Sequence, residues 1–233
     1  MNSQITLCLT IGLRPDLLRK TLTSLSSCWQ VGKVIAINDF RDEPTNQAFK
    51  DIFPNRHLIS LDRQLGHHAA VDQMYRLVDT PYVFHCEDDW LFDQPIDFRG
   101  AMRLLNEKSD ISQICLRKIS DFNFASADKE KITSLHHSGV DYCMLHNLHP
   151  QWYGYTFNPH LMKVNLWREL GEYSRFKKER HISRTLRKQG MFTAFLDPGV
   201  CHHIGELESV SQPAGGHSNL KKLKGMLKSI FKK

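Results

Sequence analysis

The segment Pro81–Trp90 reads Pro-Tyr-Val-Phe-His-Cys-Glu-Asp-Asp-Trp, a largely apolar run that ends in three consecutive carboxylates. The apolar part predicts a buried strand over residues 80–86. Like charges disfavour one another, so a chain that places Glu87, Asp88 and Asp89 at the end of a buried strand normally holds something positive there. The usual candidate is a divalent cation carrying a phosphorylated substrate, because magnesium and manganese prefer carboxylate and phosphate oxygens. The alternative is an acidic turn that faces solvent.

Strands and helices alternate before this segment. Residues 5–11 are β-branched and apolar and predict a first strand, and leucines at helical spacing then predict an amphipathic helix from Pro15 to about Ser27. Continuous apolar strands that alternate with helices are typical of an α/β fold with a mostly parallel sheet flanked by helices. The other elements predicted in this half are strands at 34–37 and 57–61 and a helix at 66–78.

The second half of the chain is less regular, and its predicted elements are correspondingly less periodic. Residues 120–140 are polar and predict a loop region, and residues 152–159 form an aromatic segment that contains Gly154. Gly171 and Gly190 follow two helical patterns and predict where those helices end. The elements predicted here are strands at 111–116 and 192–196 and helices at 161–170 and 180–188.

Composition places the protein among ordinary soluble domains. The 233 residues are 41% apolar and 24% charged, and no run of about 18 apolar residues predicts a transmembrane helix. The six cysteines are scattered and include no Cys-x-x-Cys pair. We therefore expect reduced cysteines in a cytoplasmic protein, with neither disulfides nor a zinc site.

The positive charge of the chain is concentrated in its last residues. The net charge is +6, and residues 220–233 carry six lysines and no acid. The rest of the chain is therefore close to neutral, which argues against a nucleic-acid groove across the domain. Nucleic acid is not an expected partner.

The same basic segment has an amphipathic pattern. On a helical wheel its apolar residues fall on one side and its lysines on the other, which is typical of a helix that lies in a membrane interface against anionic headgroups. The alternatives are a disordered basic tail or a helix that packs on the body. The predicted organisation is a globular domain at 1–210, a flexible linker at 211–218 and a membrane-interface helix at 219–233.

An ordered set of motifs carries a family resemblance over about residues 4–205. The opening strand, loop and helix around Thr10–Pro15, the second strand ending in Asp39, the segment 63–72 around Gly66, the acidic run and the late His203 occur in a familiar order. This set resembles the GT-A fold glycosyltransferases, in particular the family-2-like inverting group. The resemblance implies a sugar-nucleotide donor and a Mn²⁺ or Mg²⁺ ion.

The resemblance also implies roles for single residues. Asp89 corresponds to the direct metal ligand and His203 to a ligand from the opposite side, with His202 as an alternative to His203. Glu87 and Asp88 correspond to groups that orient metal-bound water or the ribose of the donor. The other residues expected to hold the nucleotide or its phosphates are Thr10, Arg14, Asp39, Arg63 and Gly66. For either arginine the alternative is a solvated surface charge.

Glu179 matches the position of the family's catalytic carboxylate. A carboxylate within reach of the acceptor hydroxyl is the usual general base. The alternatives are that Glu179 only stabilises the start of its helix, or that His181 or Asp141 is the base. Nearby aromatic residues are expected either to stack on sugar faces or to belong to the core, and they are Trp152, Tyr153, Tyr155 and Phe157. The histidine pairs at 67–68 and 136–137 have no ligand-like context and are expected to be surface or loop residues.

Together these features predict a metal-assisted, inverting glycosyltransferase. The expected acceptor is a glycan or a lipid-linked glycan of a bacterial polysaccharide or lipopolysaccharide, reached from the inner face of the cytoplasmic membrane. A sugar-nucleotide pyrophosphorylase is disfavoured, because the loop at 12–15 has one glycine and no lysine. A third possibility is an inactive, transferase-like module that only binds the membrane surface.

Overall fold

The computed structural model describes residues 2–205, so the predicted linker at 211–218 and the predicted helix at 219–233 lie outside the described residues. Eleven strands are present within residues 2–205. They are β1 (Ile5–Ile11), β2 (Lys33–Asn38), β3 (His57–Ile59), β4 (Tyr82–Glu87), β5 (Trp90–Phe92), β6 (Ile111–Cys115), β7 (Thr133–His137), β8 (Val140–Met144), β9 (His160–Lys163), β10 (Phe192–Leu196) and β11 (Cys201–His203).

Seven α-helices lie between these strands over the same residues. None of the seven is long and apolar enough to cross a bilayer. They are α1 (Pro15–Cys28), α2 (Glu43–Ile52), α3 (His67–Arg76), α4 (Phe98–Glu107), α5 (Ser126–Lys129), α6 (Val164–Leu170) and α7 (Glu179–Lys188).

One sheet organises the domain. Within residues 2–205, nine strands join it in the order β3-β2-β1-β4-β9-β6-β10-β8-β7, and β5 pairs separately with β11. Of these nine strands, β8 and β9 run against the others. The prediction of a mixed, mostly parallel sheet flanked by helices is confirmed. Its consequence is that the carboxyl ends of β1, β2 and β4 meet at one edge.

Both faces of the central strands are buried. Leu7 and Leu9 of β1 pack in the core on the side of α1, whereas Cys8 between them packs in the core on the side of α3. Strands that are covered on both faces need apolar residues at nearly every position, and this explains why five of the seven residues of β1 are apolar.

Several elements differ from those that the sequence predicts. Residues 161–170 do not form one helix, because the chain first adds β9 between β4 and β6 and only then begins α6 at Val164. Residues 120–140 are not all loop, since they include α5 and β7. Strand β7 is polar and exposed, as edge strands often are, so its sequence lacks an apolar signal. Periodicity also did not reveal α2, α4 and β5.

Asp72 of α3 is buried and holds the segment that follows α6. Its Oδ1 accepts hydrogen bonds from Trp167 Nε1 at 2.9 Å and from the backbone N–H of Tyr173 at 2.8 Å. Its Oδ2 accepts a third, from the backbone N–H of Ser174 at 2.8 Å. Asp72 thereby fixes the backbone that leads into α7, which is a structural role.

Asp72→Ala is expected to lower the free energy of unfolding by about 3–5 kcal/mol, because it leaves two buried donors and one partly buried donor unsatisfied. Urea unfolding followed by circular dichroism measures this difference. Asp79→Ala is the matched control, since that side chain is 71% exposed and its loss should cost less than about 0.5 kcal/mol. Equal midpoints for the two variants would contradict this role of Asp72.

Candidate active site

Helix α1 holds the acidic turn that follows β4. Thr21 Oγ1 donates to the backbone oxygen of Asp88 at 2.9 Å and accepts from the backbone N–H of Trp90 at 3.0 Å. Thr21 is fully buried. One hydroxyl therefore fixes the backbone on both sides of Asp89.

The positive group that lies between the two aspartates is Arg14. Its Nη1 donates to Asp89 Oδ2 at 2.6 Å, and its Nη2 donates to Asp88 Oδ1. The backbone N–H of Gly12 donates to the other oxygen of Asp88 at 2.9 Å. The sequence predicted Arg14 as a phosphate ligand, and in this structure its guanidinium is instead engaged by the carboxylates.

The pKa values of the two aspartates are shifted in opposite directions. Burial raises the pKa of Asp88 to about 7, although the charge of Arg14 opposes the increase. Burial also raises the pKa of Asp89, but the hydrogen bond from His203 and the charge of Arg14 outweigh it and hold that pKa below the ordinary value. Asp89 is therefore the more firmly ionised of the two.

His203 lies against Asp89 because of a small second sheet. Strand β11 pairs antiparallel with β5, which places His203 opposite Trp90. His203 Nε2 is 2.9 Å from Asp89 Oδ2, and this hydrogen bond raises the pKa of the imidazole. The neighbouring His202 faces Asp93 instead, with a nitrogen to oxygen distance of 3.7 Å. Of the two histidines, His203 is the one that reaches the acidic turn.

The donor atoms at this turn fit a divalent cation. Within residues 2–205, Oδ1 of Asp89 is buried and nothing hydrogen-bonds to it. The same part of the chain contains no preassembled group of three or more ligating side chains. Magnesium is often bound by only one or two carboxylates, with substrate phosphates and water completing its shell. Asp89 and His203 are the residues that would hold such an ion.

The predicted nucleotide-binding residues lie along the carboxyl ends of β1 and β2. Thr10 pairs in register with Glu87, and its Oγ1 is buried with no hydrogen-bond partner in the part of the chain that the structure describes. Asp39 accepts the backbone N–H of Leu65 at 2.6 Å and that of Gly66 at 2.9 Å. Asp39 thus also organises the predicted Gly66 loop.

Two glycines shape this edge. A side chain at Gly12 would lie 2.3 Å from the ring of Phe40, so only glycine allows the loop to pass there. Gly66 has a φ of 88° and precedes α3, where glycine is the residue that adopts this conformation at least cost. Arg63, in the loop between β3 and Gly66, is exposed.

Glu179 begins α7 on the other side of the acidic run. It is half-buried and accepts the backbone N–H of Phe157 at 3.3 Å. Burial raises the pKa of its carboxyl to about 7, and the nearby charge of Glu87 adds to this effect. A carboxylate with a pKa near 7 is suited to take a proton at neutral pH.

A pocket of about 240 Å³ opens beside Glu179. Its walls include Trp152, Tyr153 and Tyr155, and Asn158 contributes a polar group. Arg187 of α7 holds this aromatic segment by donating to the backbone oxygens of His146 at 2.9 Å and Trp152 at 2.7 Å, and to that of His149. Tyr155 is fully buried, so it also belongs to the core.

Sequence reasoning missed His67 as a site residue. His67 begins α3, and its Nε2 lies 3.5 Å from Glu87 Oε1. Its ring packs edge-on against Phe157 at 4.4 Å between centroids, and its charge lowers the pKa of Glu179. Its position in the sequence would have identified it, because it directly follows Gly66 and begins α3, whose N-terminus lies next to the carboxyl ends of the strands. By contrast, His136 is exposed and pairs with Asp141 away from this cluster.

Comparisons with known proteins support the fold. No protein-family model and no curated protein matches the sequence. Among solved structures, the chain is similar to a mannosyltransferase from Pyrobaculum calidifontis in complex with GDP-Man and Mn²⁺, with a TM-score of 0.61 and 13% identity over 88% of this chain and 58% of that chain. It is also similar to S. aureus TarS, with a TM-score of 0.58 and 11% identity over 86% of this chain and 36% of that chain.

A shorter TarS structure, comprising residues 1–349, gives a TM-score of 0.60 and 12% identity over 87% of this chain. The chain spans 36% to 60% of the length of these three structures. Identities this low show the fold alone. The chain therefore has the GT-A fold of nucleotide-sugar glycosyltransferases.

Proposed function

We propose that the protein transfers a sugar from a nucleoside diphosphate donor to a hydroxyl of a glycan or lipid-linked acceptor, with inversion at the anomeric carbon. The observation that supports this most is the placement of Glu179. This carboxyl has a pKa of about 7, lines a pocket with aromatic walls, and is close enough to Glu87 for the two charges to interact. A base on one side and an acidic, cation-binding turn on the other are what the reaction requires.

The donor occupies the carboxyl ends of β1, β2 and β4 in this proposal. Ligands of open α/β sheets bind at such edges. Asp39 and Thr10 face the nucleoside, and Arg63 and Gly66 border its phosphates. A divalent ion held by Asp89 and His203 would act as a Lewis acid for the leaving diphosphate. The Mn²⁺ and GDP-Man in the similar mannosyltransferase structure support a donor and a cation of these classes.

The acceptor occupies the pocket beside Glu179. Its hydroxyl oxygen attacks the anomeric carbon as the bond from that carbon to the diphosphate oxygen breaks, and the hydroxyl proton passes to the carboxylate of Glu179. Trp152 and Tyr153 present faces on which a sugar ring packs and which exclude water from the reacting atoms. One displacement by a base-activated hydroxyl inverts the configuration.

The direct test is a screen of nucleoside diphosphates followed by an assay of their sugar conjugates. In a thermal-shift experiment with Mn²⁺, the matching nucleotide should raise the melting temperature, since a ligand that binds only the folded state stabilises it. Incubation with the corresponding sugar nucleotide should then release the nucleoside diphosphate. Binding without any release, with or without added glycans, would favour an inactive transferase-like module instead.

The C-terminal segment supports a membrane-bound acceptor in this proposal. Residues 219–233 lie outside the described residues, and their amphipathic lysine-rich pattern is the basis for a location at the inner face of the cytoplasmic membrane. Deleting residues 219–233 is expected to abolish sedimentation with vesicles that contain anionic phospholipid, while binding to neutral vesicles is weak for both forms. Unchanged sedimentation of the truncated protein would contradict a membrane role for this segment.

A further inference from the structure

The guanidinium of Arg14 lies in the acidic turn, next to the carboxylate of Asp89 that is proposed to bind a divalent cation. Nη1 is 2.6 Å from Asp89 Oδ2, Nη2 contacts Asp88 Oδ1, and the arginine side chain is only 10% exposed. We propose that Arg14 is an internal counter-ion that competes with the divalent cation at Asp89 and moves to the donor diphosphate when the two bind together. This inference rests on the proposed function of the same site.

Arg14 and His203 share one oxygen atom of Asp89. Asp89 Oδ2 accepts from Arg14 Nη1 at 2.6 Å and from His203 Nε2 at 2.9 Å. A cation that takes the imidazole nitrogen as a ligand must break the second of these hydrogen bonds. The cation would then lie within a few ångströms of a permanently charged guanidinium, and two positive charges at that distance repel strongly in a buried site.

At this position the side chain of Arg14 is able to change partners, whereas the backbone is held in place. The backbone around Arg14 is anchored, because the N–H of Gly12 donates to Asp88 and the N–H of Leu13 donates to Asp42 Oδ1 at 2.8 Å. Helix α1 begins directly afterwards, at Pro15. A change of partner is therefore confined to the long side chain of Arg14, whose planar fork pairs equally well with a carboxylate or a diphosphate.

The charges of this cluster also favour joint binding. Arg14 leaves Asp88 and Asp89 with at most one net negative charge, which is a weak site for a free divalent ion. A diphosphate brings further negative charge and an alternative partner for the guanidinium. Cation and nucleotide should therefore bind cooperatively, and by linkage each increases the affinity for the other by the same factor.

The experiment measures Mn²⁺ binding to the full-length protein by the electron paramagnetic resonance signal of free Mn²⁺, without any turnover. Arg14→Gln should bind Mn²⁺ alone about tenfold more tightly than the wild type, a difference of about 1.4 kcal/mol. Arg19→Gln is the matched control, because Arg19 lies on α1 but pairs with Asp51 at 2.7 Å and is 43% exposed. Its Mn²⁺ affinity should equal that of the wild type.

The second measurement repeats the titration with GDP and, separately, with UDP. The nucleotide that binds should increase the Mn²⁺ affinity of the wild type about tenfold or more, and should do so less in Arg14→Gln because the counter-ion is gone. Arg14→Lys, which keeps the charge but loses the fork, should bind Mn²⁺ alone like the wild type. It also provides the comparison if Arg14→Gln does not fold.

Unchanged or weaker Mn²⁺ binding by folded Arg14→Gln would overturn the inference, and so would a tenfold tightening in Arg14→Lys. These outcomes are independent of the proposed function. If no sugar nucleotide is turned over but Arg14→Gln binds Mn²⁺ more tightly, the counter-ion role stands and the transferase proposal fails. If turnover is found but the Mn²⁺ affinities are equal, the reverse holds.

Discussion

Asp89→Ala is expected to reduce glycosyl transfer by about 10²- to 10³-fold while the fold remains intact. The charge that builds on the leaving diphosphate must be stabilised by groups already in place, and removing one such group commonly costs two to three orders of magnitude. Asp89 is 5% exposed and is the carboxylate that both Arg14 and His203 contact. In the proposed mechanism the cation would then lose its anionic ligand, whereas Asp88 would still hold Arg14.

The measurement is release of nucleoside diphosphate from the sugar nucleotide at saturating Mn²⁺, with far-ultraviolet circular dichroism as the check on folding. Asp93→Ala is the matched control, since Asp93 follows β5 on the same short segment but is exposed and pairs with Lys118. Its rate should be within about twofold of the wild type, as is usual for surface substitutions. A folded Asp89→Ala protein with full activity would remove Asp89 from the mechanism.

Glu179→Gln is expected to lower kcat by about 10² to 10⁴-fold, the usual contribution of a general base, with little change in donor affinity. Glutamine keeps the shape of the side chain and retains an oxygen that accepts the N–H of Phe157, but it does not take a proton. Stopped or continuous assays of transfer, with donor affinity measured by thermal shift, separate the two effects. Equal losses of donor affinity and kcat would mean that Glu179 binds the donor and is not the base. Glu172→Gln, an exposed site paired with Arg76, is the control.

The pH dependence gives an independent check on Glu179. If the carboxylate form of Glu179 is the base, as proposed, kcat of the wild type should rise with pH up to about 7 and then level off. The stability effect has the opposite direction. Because the pKa in the folded state is above that of the unfolded chain, the folded protein binds more protons between about pH 4.5 and 7, and its stability falls as pH rises through that range. Glu179→Gln should therefore gain stability relative to the wild type at pH 8 compared with pH 4. A constant difference would contradict the raised pKa.

Local signals in the sequence were sufficient to locate strands β1 and β10. Strand β1 was predicted with its observed limits, Ile5–Ile11, and β10 with its observed limits, Phe192–Leu196. Both are mostly apolar runs in which nearly every residue is buried, and such a run is visible in the sequence without knowledge of its neighbours. The order of motifs also predicted that Asp39, Glu87 and Asp89 lie at one edge, and the register of β1, β2 and β4 places them there.

The elements that were missed depend on partners that are distant in sequence. Residues 160–163 form β9 because β4 and β6 leave a gap that an antiparallel strand fills, and no residue within the segment encodes that gap. Strand β5 has three residues and exists through its pairing with β11, more than one hundred positions later. That same pairing determines that His203, and not His202, reaches Asp89. The adjacent histidines were indistinguishable by sequence pattern.

The sequence by itself determined that three carboxylates follow a buried strand and require positive charge, since repulsion among adjacent acids is a local property. Only the tertiary structure shows that the positive group in contact with Asp88 and Asp89 is the guanidinium of Arg14. Arg14 lies 74 residues before Asp88, and it reaches the acidic turn because β1 and β4 are neighbours in the sheet. The sequence pattern shows that an arginine is present, but it does not show which residues the fold places next to it.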